Sequence, residues 1–192
     1  MRHFEVFSES NIGINIERVL EKTQERLPRE FSLGRVNLMD LQLQETREKY
    51  NAFDIEHILS KINFPDSILF FSQPLYANIF AYRLKEVGSF YPSIYRALGY
   101  ASENKKHILV SSVNLGSGEI GVERVSKVLT HEIGHIIYKF PDDCCSESGC
   151  IMSNYPENYE EVSREVLEFL DKKEGWCEFH ESILFPERRL QI

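Results

Sequence analysis

From Gly121 to Tyr138 the chain sets Val122, Val125, Val128, Leu129, Ile133, Ile136 and Ile137 at the 3.6-residue period of a single helix face. That stripe commits the segment to a helix with one side in a core. At about 100° per residue, His131 and His135 fall roughly 120–160° from the centre of the stripe. They point towards a different environment and sit one turn apart. Two imidazoles at i and i+4 can both reach a single zinc ion at about 2.0–2.1 Å. Glu132 is displaced sideways, so its carboxylate can approach a metal-bound water without ligating the metal. The string His131-Glu132-Ile133-Gly134-His135 therefore has the spacing in which a glutamate serves as general base beside a metal.

The rest of the chain supplies a scaffold for such a helix. His3 to Phe7 reads as a strand, Ile14 to Arg26 as a surface helix, and Val36 to Leu43 as an alternating strand. Ala52 to Ile62 has helical spacing of its apolar residues. Ile68 to Phe71 is a solidly apolar run between Pro65 and Pro74, as expected of a buried central strand. Tyr76 to Pro92 is aromatic-rich and irregular, a loop with a short helix. Ile94 to Ala101 and Ile108 to Val113 read as two further strands before the histidine helix. After it comes a mostly irregular, cysteine-bearing tail with one more helix near Glu160 to Lys173. Strands and helices interleaved in this order predict a mixed α/β layer structure. At 192 residues, with no linker or repeat, one domain is expected. Within it, 1–138 forms the sheet and active-site helix, and 139–192 the cysteine-rich part.

All four cysteines lie in that last part: Cys144, Cys145, Cys150 and Cys177. Adjacent Cys144 and Cys145 cannot easily pair with each other. Cys145-x-x-x-x-Cys150 followed by Cys177-x-x-His180 offers three thiolates and one imidazole, a closed tetrahedral set suited to structural zinc. Two zinc ions are expected, one catalytic and one structural. Net charge is −8 with Lys and Arg scattered, which argues against a nucleic acid or anionic membrane as partner. Met1 to Val6 lacks the apolar run of a signal peptide, and no stretch approaches the roughly 20 apolar residues of a membrane span. The expectation is a soluble, cytoplasmic monomer acting on a peptide or protein.

These strings, with Ile151 and Met152 directly after Cys150, resemble the archaemetzincins, small zinc metallopeptidases of the metzincin clan. The resemblance implies a metzincin-like zincin fold: a twisted, mostly parallel sheet with one antiparallel edge strand near Ile94 to Ala101. That edge would pair with an extended peptide. It also implies that Met152 packs beneath the metal, and that zinc and Glu132 together hydrolyse a peptide bond. Tyr155 is expected to pack.

The departures bear on activity. The family's third histidine ligand, just ahead of the first structural cysteine, is replaced here by Cys144, and Tyr138 stands where the family has a helix-ending glycine. Pro141 cannot ligate, so the third ligand is Cys144, Asp143 or Asp142, with register favouring Cys144. A thiolate or carboxylate there neutralises part of the zinc charge and raises the pKa of its water. The family's later Cys-x-x-Cys is Cys177-x-x-His180 here. The alternative to a working peptidase is a catalytically weak or inactive, zinc-stabilised peptide-binding module.

Overall fold

Side-chain alternation in two neighbouring strands sets the layering. In β4 (Ser67–Phe71), Ile68 and Phe70 enter one core while Leu69 and Phe71 enter another. In β8 (His107–Ser111), Ile108 and Val110 separate from Leu109 in the same way. Both strands are buried throughout, which requires helices on both faces of the sheet. The computed structural model of the chain describes residues 2–28, 31–39, 53–63, 66–78, 94–102, 107–140, 145–153 and 164–187.

The first face is covered by α1 (Ile16–Glu25) and α3 (Gly118–Tyr138), which pack on each other. The second is covered by α2 (Ile55–Lys61), through Ile55, Ile58 and Leu59. With β1 (Arg2–Ser8), β2 (Phe31–Leu38) and β7 (Gly99–Ser102), these strands form a five-stranded sheet in the order β2-β1-β4-β8-β7. All neighbours are parallel except β7, which runs antiparallel to β8 at the edge. A bulge separates the β1–β2 pairs Phe4↔Leu33 and Val6↔Val36. Gly34 lies in it, where a Cβ would stand 2.8 Å from the Phe4 carbonyl oxygen.

The mixed sheet with its antiparallel edge agrees with the sequence, but several boundaries differ. The segment read as one strand, Ile94 to Ala101, is two. Ile94–Ala97 is β6, pairing antiparallel with β5 (Leu75–Asn78) in a small second sheet with β3 (Phe53–Asp54). The chain bends at buried Leu98 and only then joins the main sheet as β7. β5 occupies the start of the stretch read as a loop from Tyr76 to Pro92, and 79–93 lie outside the described residues. The second strand starts at Phe31, ahead of Val36, because Arg2↔Phe31 already pairs; beyond 39 its expected course lies outside the described residues. Helix α2 starts late because Asp54 caps it, accepting from the Glu56 and His57 amides. Among the described residues the tail holds two helices where one was expected: α4 (Arg164–Lys172) and α5 (Glu178–Leu184). It docks on the first layer through Trp176, whose indole donates to the Arg26 carbonyl, and through the Arg124–Asp171 ion pair. Among the described residues no helix is long and apolar enough to cross a membrane.

Candidate metal centre

The apolar stripe of α3 does what its spacing predicts: Val122, Val125, Val128, Leu129, Ile133 and Ile136 are all buried. The opposite side is buried as well. His131, Glu132 and His135 are 5%, 6% and 8% exposed, covered by the tail and by β7.

Each histidine is oriented by a backbone oxygen. His131 Nδ1 lies 2.8 Å from the Ile151 carbonyl, and His135 Nδ1 lies 2.8 Å from the Phe140 carbonyl. A carbonyl can only accept, so Nδ1 carries the hydrogen in both rings and Nε2 carries the lone pair. The two Nε2 atoms then face each other at 3.0 Å, with the rings 83° apart. Two such lone pairs repel unless a cation lies between them. Tetrahedral zinc with bonds of about 2.0–2.1 Å separates its nitrogen ligands by about 3.3 Å, so the pair fits that ion. His131 is pushed down to about 3, by burial first, then by His135 and the Lys173 ammonium. Its ring is accordingly neutral, the form that ligates.

The end of the helix makes the second of these hydrogen bonds possible. Lys139 adopts the left-handed conformation, φ 51°, and its amide closes on the Gly134 carbonyl. That reversal brings the Phe140 oxygen back onto His135. A side chain in this conformation is strained, so Lys139→Gly is expected to stabilise the fold by roughly 0.5–1 kcal/mol. The measurement is the urea midpoint at unchanged m-value.

Two glycines bring the remaining parts close. A Cβ on Gly134 would stand 2.5 Å from Met152 Sδ, so the fully buried methionine packs directly beneath the helix between the two histidines. A Cβ on Gly99 would stand 2.6 Å from both Cγ and Oε1 of Glu132, so edge strand β7 presses on the glutamate side chain. Gly99 and Gly134 were not singled out in the sequence, although an isolated glycine within a strand is a sign of close approach.

The second set assembles as its spacing suggested. Cys145, Cys150, Cys177 and His180 bring their ligand atoms within 4.8 Å of one another. Cys145 Sγ lies 3.5 Å from Cys177 Sγ, and His180 Nδ1 lies 3.0 Å from Cys177 Sγ and 3.5 Å from Cys150 Sγ. Zinc–sulfur bonds of about 2.3 Å imply sulfur separations of about 3.8 Å, so four donors at these distances suit zinc after slight expansion. The three thiols are free. Burial raises Cys145 and pushes Cys150 up to about 12, so a cation is needed to draw out the thiolates. Cys144, Asp143, Asp142, Pro141 and Tyr155 lie outside the described residues.

No sequence-family model matches the chain, and no curated protein matches it. Structural comparison does find chains of the same fold. Archaemetzincin from Archaeoglobus fulgidus, solved in complex with malonate, superposes with a TM-score of 0.64, covering 94% of this chain and 99% of that one at 18% identity. The fold is that of archaemetzincin. A zinc-dependent peptidase from Methanocorpusculum labreanum gives a TM-score of 0.62 at 20% identity with the same coverage. The archaemetzincin fold thus extends over nearly the whole chain, well beyond the histidine and cysteine strings that first suggested it.

Proposed function

We propose that the chain is a zinc-dependent peptidase in which His131 and His135 hold one zinc ion and Glu132 moves the proton. The observation that carries this reading is the approach of two buried Nε2 lone pairs to 3.0 Å beside a buried carboxylate. The similar structure from Methanocorpusculum labreanum bears the name of a zinc-dependent peptidase, which supports it. The third ligand comes from Cys144, Asp143 or Asp142, with Cys144 favoured by its register to Cys145. Cys145, Cys150, Cys177 and His180 hold a second, structural zinc.

Zinc at the histidine pair supplies Lewis acidity, which acidifies water and polarises a peptide carbonyl. Glu132 accepts the proton of the attacking water on its carboxylate and later gives it to the leaving amine. The Nδ1 hydrogens of His131 and His135 are committed to carbonyls, so each ring turns its Nε2 towards the ion. β7, the edge against Glu132, offers backbone groups to which an extended substrate can add as a further strand.

Close packing at Gly99 makes a graded test of the glutamate's position. Gly99→Ala forces Glu132 to move, and a displacement near 1 Å is expected to lower kcat/KM about 10²-fold. Zinc content should not change, because Glu132 is no ligand.

A thiolate or carboxylate in the third slot leaves room for a peptide-binding module without turnover. One experiment separates the readings. Zinc-loaded protein is incubated with a peptide library, and new termini are identified by mass spectrometry. Cleavage that stops on chelation and returns with zinc supports the peptidase. Peptides retained intact at every metal loading would favour the module.

A further inference from the structure

Lys173 is fully buried directly after α4, although its sequence neighbours Asp171, Lys172 and Glu174 suggest a solvated helix end. Its Nζ donates to the Ser153 carbonyl at 2.6 Å and the Ile151 carbonyl at 2.7 Å. It also reaches Ser153 Oγ at 3.2 Å and the Cys150 carbonyl at 3.3 Å. The Phe169 ring lies 4.9 Å away. An ammonium is costly to bury, and here four oxygens that receive it come from a single turn, residues 150–153.

That turn carries three parts of the site in succession. Cys150 gives a thiol to the cluster, Ile151 gives the carbonyl that orients His131, and Met152 packs beneath Gly134. The Ile151 oxygen receives both the His131 Nδ1 hydrogen and the Lys173 ammonium, one on each lone pair. Three carbonyl dipoles converging on one point repel each other, and the Lys173 ammonium at that point holds them together.

Resting on the metal reading of the histidine pair, we infer that Lys173 is its positioning residue: it gathers the 150–153 carbonyls and fixes the Ile151 oxygen against His131. The imidazole then presents Nε2 to the ion. Partners that orient a ligating imidazole are worth about 10–100-fold in metal affinity. In this chain the orienting oxygen is itself set by a side chain 22 residues further on.

The test uses the full chain and zinc, followed by imidazole ¹⁵N NMR. This separates Nε2 of His131 and His135 from Nδ1 of His180 and reports the two centres independently. Chelator competition gives each affinity. Lys173→Met is expected to weaken zinc at the histidine pair about 10–100-fold and to shift the His131 Nδ1 resonance, with His180 little changed. Lys173→Arg, which keeps the cation, should recover most of the loss. Unchanged affinity at the pair in a folded Lys173→Met protein overturns the proposal. If the methionine variant does not fold, Lys173→Gln takes its place. Failure of both neutral variants to fold assigns the residue to the fold alone and overturns the proposal too. An unsubstituted chain whose His131 and His135 resonances ignore zinc removes the metal site itself, and that failure is recognised because it precedes any substitution.

Discussion

Glutamine in place of Glu132 is expected to lower kcat/KM about 10²–10⁴-fold on any peptide the parent cleaves, with zinc content unchanged. The two side chains have nearly the same shape. Glutamine therefore fits the buried space against Gly99 that would refuse a bulkier group. Only the basic oxygen is lost, since an amide cannot take up the proton of the attacking water. Metal analysis and initial rates on the same preparation check both halves. A variant that turns over within a few-fold of the parent rules Glu132 out as the base. A variant that loses zinc makes it a ligand instead.

Removal of the ion proposed for the Cys145, Cys150, Cys177 and His180 cluster should have the largest effect on stability. Cys150→Ser, or chelation of the parent, is expected to cost several kcal/mol and to lower Tm by about 10 °C or more. Cys150 is 2% exposed; its sulfur lies within reach of His180 Nδ1 and accepts from the Cys177 amide. The core around it is small, consisting chiefly of Phe140, Met152, Cys177 and Leu184. Trp176 is the single tryptophan of the chain and packs beside Phe140, so its fluorescence reports this region. Calorimetry with and without chelator gives the size of the effect. An unchanged Tm and unchanged Trp176 emission after zinc removal would sink the structural role of the cluster.

The parts of this molecule that were legible in its sequence are those governed by periodicity and ligand spacing. The stripe from Val122 to Ile136 marks α3, and the apolar run from Ile68 to Phe71 marks a central strand. Cys145, Cys150, Cys177 and His180 could be grouped by spacing because four good zinc donors in a short tail have little else to do. Short strands such as β3, β5 and β6 leave no periodic trace, since two to four residues do not complete a pattern. The bend at Leu98 is hidden for the same reason: both flanking pieces look extended. Lys173 was illegible on different grounds. A lysine among charged residues reads as solvated, and only the tertiary placement of the 150–153 turn makes it interior. Lys139 likewise shows no sign of its left-handed backbone, which glycine would have advertised.

The docking of the tail also has a consequence for the order of events during biosynthesis. A nascent polypeptide can complete the five-stranded sheet and α3 once residue 138 has emerged, yet at that stage the His131 ring has no carbonyl to steady it. That carbonyl belongs to Ile151, and the lysine that grips it emerges later still. Fragments ending before Lys173 therefore hold His135 through the Phe140 carbonyl but leave His131 loosely aimed, and the proposed metal pair is complete only when the last helices have closed over the first layer.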